Sequence, residues 1–191
     1  MIEKNGELKI TTLAVIGIQK DGRYYTKLMD WVAENDSEIE LSTDKVMDGN
    51  CRLHGSSFRG LLEGSREITQ SSHKPPIVLD KVLNMYYFPV ESPIKKTCTW
   101  IAHSHVKAIR NYPNNQTNIL FHNNRTLTLD ISHPVVFRQL NKTAQYRCTL
   151  TDRIQKLRPI HKLNAQHYFQ TELPHAEIIR NSPISSFDYE E

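Results

Sequence analysis

The chain is poor in cysteine and has no long apolar run. Its three cysteines, Cys51, Cys98 and Cys148, are odd in number and far apart in 191 residues. No C-x-x-C pair occurs, which argues against a disulfide framework and a zinc ribbon and fits a reducing compartment. No apolar stretch approaches the ~20 residues of a membrane span. Met1-Ile2-Glu3-Lys4-Asn5-Gly6 has no basic region leading into an apolar stretch, so no signal peptide is expected. A soluble, cytoplasmic protein is the expectation. The chain also lacks a G-x-S-x-G elbow, a phosphate-binding G-x-x-x-x-G-K-[ST] loop and a dinucleotide fingerprint. Ser57, His73 and Asp80 can be cast as a hydrolase triad, but their order and context match no triad pattern. We expect no catalytic residues, no cofactor and no enzyme activity.

Acid is what the middle of the chain has little of. Residues 51–170 carry 17 Lys/Arg against 6 Asp/Glu, net +11, while residues 1–50 and 171–191 are each net −4. The overall charge of +3 therefore hides a strongly basic centre. Such a centre attracts polyanions, of which nucleic acid is the commonest in a cell. A hydrophobic fraction of 38% is low but adequate for a core of this size.

The pattern predicts an α+β protein, a mostly antiparallel sheet with two main helices near 56–70 and 134–157. Leu8 to Ile18 and Arg23 to Val32 read as strands around an Asp21-Gly22 hairpin turn. Glu34-Asn35-Asp36-Ser37 reads as a polar loop. Ser56 or Ser57 can cap the first helix, with Phe58, Leu61, Leu62 and Ile68 as its apolar stripe. Pro75 and Pro76 must break it. Short strands follow at Ile77–Leu79, Met85–Val90 and Thr97–Ile109. Asn118–Phe121 and Thr126–Ile131 flank a turn at His122-Asn123-Asn124-Arg125. The second helix can be capped by Ser132, with Val135, Val136, Leu140, Ala144 and Leu150 facing the core, and Pro159 should stop it. The expected organisation is a DNA-binding domain over 1–158 and a poorly structured acidic tail over 159–191. Tyr86, Tyr87, Phe88 and Trp100 read as core aromatics.

Three stretches carry a family signature. They are Cys51-Arg52-Leu53-His54-Gly55-Ser56-Ser57-Phe58, Ser72-His73-Lys74-Pro75-Pro76-Ile77, and Cys98-Thr99-Trp100-Ile101-Ala102-His103-Ser104-His105-Val106-Lys107. With Tyr87-Phe88-Pro89 between the second and third, they resemble the ComK family of competence transcription factors of Gram-positive bacteria. The resemblance runs from about residue 40 to about residue 155. It implies a DNA-binding activator of DNA-uptake and recombination genes, acting on paired A-rich and T-rich promoter boxes largely through the minor groove. It also implies a homodimer or dimer of dimers on double-stranded DNA, with RNA polymerase as a partner and no membrane. Relatives carry a Phe-Met-Leu-Tyr-Pro motif near the carboxyl end that an adaptor of a Clp protease recognises. Here the nearest stretch is the more polar Tyr168-Phe169-Gln170-Thr171-Glu172-Leu173-Pro174.

A-tracts have a narrow, strongly negative minor groove that draws in Arg, Lys and His. The candidate DNA-binding residues are Arg52, Arg59, Arg66, His73, Lys74, Lys107, Arg110 and Arg147. The arginines could equally form a solvated helix face. Pro75-Pro76 could be a groove-inserting arm or a rigid linker. Arg138, Lys142 and Arg147 lie on the last helix, which could enter a major groove or pack on the sheet with its cations outward. His103 and His105, two apart on a strand, would share a face and could hold a metal ion. No third ligand stands at a recognised spacing, so no metal site is expected. The rival readings are a basic module that binds an acidic protein and a metal-dependent enzyme built on those two histidines. If Lys74 touches phosphate, Lys74→Ala should weaken DNA binding and leave thermal stability nearly unchanged, with Arg59→Ala as the parallel test for the helix.

Overall fold

Asp21 and Gly22 both take a positive φ, +50° and +75°, the geometry of a tight hairpin turn. The turn joins β1 (Thr12–Lys20) to β2 (Arg23–Asp30), and β3 (Ser37–Ile39) pairs with β2. These strands belong to a computed structural model that describes residues 6–32 and 36–171, with side chains described up to residue 156. The chain divides into two units, Met1–Thr149 and Leu150–Glu191. The second is described as helix as far as Thr171.

A second run of strands, β4 (Ile77–Asp80), β5 (Met85–Pro89) and β6 (Trp100–Ala102), repeats the antiparallel pairing. Strand β6 pairs with β1, so the two runs join edge to edge as one sheet in the order β3-β2-β1-β6-β5-β4. A smaller sheet, β7-β8-β9, is built from Val106–Tyr112, Gln116–Phe121 and Thr126–Leu129. Three helices complete the α+β fold: α1 (Thr43–Leu53), α2 (Phe58–Thr69) and α3 (His133–Thr171).

Both faces of the large sheet are buried. Successive strand side chains point to opposite sides. Val15, Leu28, Tyr87, Trp100 and Ala102 enter one core, closed by Val46, Met47 and Cys51 of α1 and by Phe58, Leu61 and Leu62 of α2. Ala14, Met29, Phe88 and Ile101 enter the other, closed by Ile119, Phe121 and Leu129 of the small sheet and by Val136 and Leu140 of α3. Trp100 is fully buried, with Phe58 edge-on at 5.7 Å. The four expected core aromatics are all buried. Burial pushes the thiols of Cys51 and Cys98 up to about 12, which makes them poor nucleophiles.

The structure departs from the sequence reading in four places. Helix α1 was not expected, because Asp48, Gly49 and Asn50 are weak helix formers. Asn50 is instead a buried stitch: its Oδ1 accepts from the Leu8 amide at 2.8 Å, and its Nδ2 donates to the carbonyls of Gly6 and Val46. The strand expected over Thr97–Ile109 is broken by a 3-10 turn at His103–His105, where the chain leaves the large sheet for the small one. The two histidines therefore lose the alternating strand geometry on which the shared metal face rested. Helix α3 passes through Pro159, where a stop was expected. Proline there removes one hydrogen bond and crowds the preceding turn, and Leu157, Arg158, Lys162 and Leu163 around it are good helix formers. The inward stripe of α3 includes Gln139, Thr143 and Tyr146 beside Val136. Val136, Leu140 and Leu150 are buried or packed inward as expected, and Gln139, Thr143 and Tyr146 are additions that a purely hydrophobic pattern does not mark. The tail from Pro174 lies outside the described residues.

Two local contacts constrain the packing. Gly17 on β1 faces the Thr97 backbone, where a Cβ would come within 2.4 Å. Arg125, in the β8–β9 turn, clamps the far edge of the large sheet. Its guanidinium donates to both carboxylate oxygens of Asp36, at 2.8 and 2.7 Å, and to the carbonyl of Asp30. Bonding from Arg125, opposed in part by burial, holds the Asp36 carboxyl down at about 2.

Two outcomes are expected. Gly17→Ala must displace backbone and should cost about 2 kcal/mol or more, read by denaturant unfolding. Arg125→Ala should lower the unfolding free energy by about 2 kcal/mol. Because the folded-state value of Asp36 is depressed, its contribution is complete above the ordinary carboxylate value of 3.8 and is lost as pH falls towards 2. Wild type and Arg125→Ala should therefore converge in stability across that window.

Candidate nucleic-acid interface

Helix α2 begins where Ser57 Oγ accepts the Gly60 amide at 3.1 Å, and ends at Gln70 in the left-handed region. Arg66 therefore stands in its last turn. The chain then turns through Ser71, Ser72 and His73 to Lys74, which has φ +47°. Pro75 and Pro76 are buried at the entry to β4. They form the rigid linker between helix and sheet, one of the two readings open from sequence. An open cleft of about 310 Å³ lies here, lined by Arg66, Ser72, His73, Lys74, Pro75 and the loop Ser92-Pro93-Ile94.

Lys142 of α3 comes from far along the chain to the same place. Its Nζ donates to the His73 carbonyl at 2.6 Å, and Lys74 Nζ donates to the Val90 carbonyl at 2.7 Å. Burial, with Lys74 and Arg138 alongside, holds the Lys142 ammonium below the ordinary lysine range. Among the described residues, none of Arg66, Lys74, Arg138 and Lys142 has a carboxylate partner within ion-pair distance. No carboxylate lines the cleft among those residues. The chain from Ser92 to Leu129 contains no Asp or Glu at all. Crowded cations without a counter-charge raise each other's cost of ionisation. A bound polyanion relieves that cost.

The structure sorts the eight candidate residues into groups. Arg66, His73 and Lys74 share the cleft. Lys107 and Arg110 are exposed on β7, in the small sheet, with Lys107 Nζ donating to Asn124 Oδ1 at 3.3 Å. Arg147, on α3, lies near Tyr86 and His103: burial, with the Arg147 charge adding to it, holds the His103 imidazole below its ordinary range, and burial raises the Tyr86 hydroxyl against the opposing pull of Arg147. Arg52 and Arg59 are committed within their own helices: Arg52 pairs with Asp48 at 2.7 Å and Arg59 with Glu63 at 2.8 Å. The residues cast as a hydrolase triad have separate tasks. Ser57 caps α2, His73 lines the cleft, and Asp80 Oδ1 accepts the amides of Val82 and Leu83. His105 Nε2 lies 2.7 Å from the Ile10 carbonyl, and the described residues contain no cluster of three or more metal-ligating side chains. No described helix is long and apolar enough to cross a membrane.

The family model described as ComK protein matches residues 3–155. The chain belongs to the ComK family. The competence transcription factor of Bacillus subtilis (strain 168) is 33% identical over 150 residues, covering 78% of this chain and 76% of its own. No solved structure matches. Within this ComK-family chain, sequence reasoning left Arg138 and Lys142 off the site, because the helix that carries them meets His73 only in the folded state. Their basic spacing on the last helix was visible, but its destination was not.

The geometry changes what is expected of Lys74. Removing its side chain orphans the buried Val90 carbonyl, so Lys74→Ala should destabilise the fold by about 1 kcal/mol. Arg66→Ala, whose guanidinium meets only the Ser72 carbonyl at 3.4 Å, should leave the melting temperature unchanged. Thermal melts of the two variants side by side check the contrast.

Proposed function

We propose that this protein is a transcription factor that binds A/T-rich promoter DNA and activates competence genes, reading its boxes mainly through the minor groove. The observation that carries the proposal is the group of cations Arg66, Lys74 and Lys142, gathered without carboxylate partners among the described residues around one cleft, with Arg138 beside Lys142. Family membership supports it, and so does the likeness to a protein named competence transcription factor. Affinity would come mainly from phosphate neutralisation, and selectivity from the narrow, negative groove of A/T-rich DNA. His73 and the exposed Lys107 and Arg110 extend the basic surface. Paired boxes call for two copies of the chain on one site, about one DNA turn or ~34 Å apart. A cytoplasmic location and contact with RNA polymerase belong to the same reading.

Filter binding at a series of salt concentrations tests it. Affinity should fall steeply with salt, and A/T-rich duplex should be preferred over G/C-rich duplex. Arg66→Ala and Arg138→Ala should each weaken binding to both duplexes alike and reduce the salt slope by about one. A flat salt response, or equal binding to both duplexes, defeats the proposal.

A further inference from the structure

The cleft has one wall that its cations do not explain. Ile94 lines it and is 78% exposed. Single exposed apolar residues are ordinary on a protein surface. Among the described large hydrophobics that are exposed, however, Ile94 is the one that faces the cationic cleft.

Its backbone is also held. The Lys95 amide donates to the Ser92 carbonyl at 3.0 Å and the Cys98 amide to the Lys95 carbonyl at 2.9 Å. The Lys96 carbonyl accepts both the amide and the hydroxyl of Thr43, each at 3.0 Å. Pro93 on one side is buried, as is Cys98 on the other. The loop is thus pinned at its base and presents one branched apolar side chain at its tip. Lys96 stands over the Tyr24 ring, 4.9 Å from its centroid, and Lys95 pairs with Glu91 at 2.5 Å. Ordering such a tip before binding lowers the entropy lost on binding.

Shape selects the ligand. A minor groove about 6 Å wide admits a single side chain on a loop but not a helix of roughly 10 Å diameter. Proteins that bind there often push an apolar side chain between base pairs, unstacking a step and kinking the duplex. Pyrimidine–purine steps such as TA yield most readily. We propose that Ile94 is a minor-groove wedge, entering at a flexible step of A/T-rich DNA while Arg66, Lys74 and Lys142 hold the neighbouring phosphates. This rests on the DNA-binding reading of the same cleft. It adds that the protein distorts its site and that Ile94 is a determinant of which A/T sequences are accepted, with TA-containing boxes favoured over uninterrupted A-tracts.

The test uses the full-length chain and a duplex box with 2-aminopurine in place of the adenine of a TA step. Unstacking raises the fluorescence of that base. Wild type should raise it on binding, and should bind the TA-containing box more tightly than an A-tract of equal length. Ile94→Ala should bind about tenfold more weakly, give little fluorescence rise and lose the TA preference, with an unchanged melting temperature. Ile94→Leu, which keeps an apolar tip, should restore the fluorescence rise. If wild type binds the box without a fluorescence rise, or if Ile94→Ala matches wild type in affinity and fluorescence, the wedge is wrong and DNA binding by the cleft still stands. If wild type binds no A/T-rich duplex, both readings fall.

Discussion

Burial of the six-stranded sheet on both faces is the constraint on which the rest depends. An antiparallel sheet commonly leaves one face to water. Here α1 and α2 cover one side, and the small sheet with α3 covers the other. Trp100, fully buried between its neighbours, marks the centre of this arrangement. Because the buried residues of β1, β2, β5 and β6 alternate between the two cores, the register of these strands is tightly set, and a slip of one residue would exchange the two cores. The clamp from Arg125 to Asp36 ties the small sheet's turn to the edge of the large sheet, and the close approach at Gly17 lets the chain before β6 pass against β1.

A sheet covered on both sides offers little open face to a ligand, and the candidate site lies at the rim. The cleft lies where the α2–β4 loop, the Ser92-Pro93-Ile94 loop and α3 converge. Charge distribution follows the same logic. Acids near the amino end are committed to cations across strands, with Glu38 on Lys20, Glu40 on Arg23 and Asp36 on Arg125 and Lys27. The exposed pairs on Lys20 and Arg23 contribute little to stability, but they cancel charge locally. The cations around the cleft and on β7 are among the described residues left without an acid in ion-pair range, as are Lys9, Lys45, Lys81, Lys96 and Arg147 elsewhere. The field that a polyanion would feel is therefore set by which cations are left over, more than by the net charge.

Much of the fold was legible in local pattern. The Asp21-Gly22 hairpin, the Ser57 cap of α2, the turn around Asn123-Asn124 and the alternation through Tyr86, Tyr87 and Phe88 each state their geometry within a few residues. Helix α1 was not legible, because its stability comes from Asn50 bonding to Leu8 and Gly6 and from packing of Val46, Met47 and Cys51. The candidate site was legible in half. Arg66, His73 and Lys74 share a short segment that the motif around Lys74-Pro75-Pro76 brings into view. Arg52 and Arg59 have the same seven-residue spacing as Arg66, yet each has an acid within its own helix, four residues away. That spacing could be read from sequence, but whether a rotamer closes the pair is a matter of geometry.

By itself the sequence determined the α+β class, the family and the basic centre, because composition, turn chemistry and short motifs act locally and survive without a fold. Only the tertiary structure decided which cations are free, that Lys74 also supports a buried carbonyl, that Lys142 joins it from α3, and that Ile94 stands beside them. Those are relations between segments far apart in the chain. The two hydrophobic cores bring them together, and no local pattern encodes the distance between them.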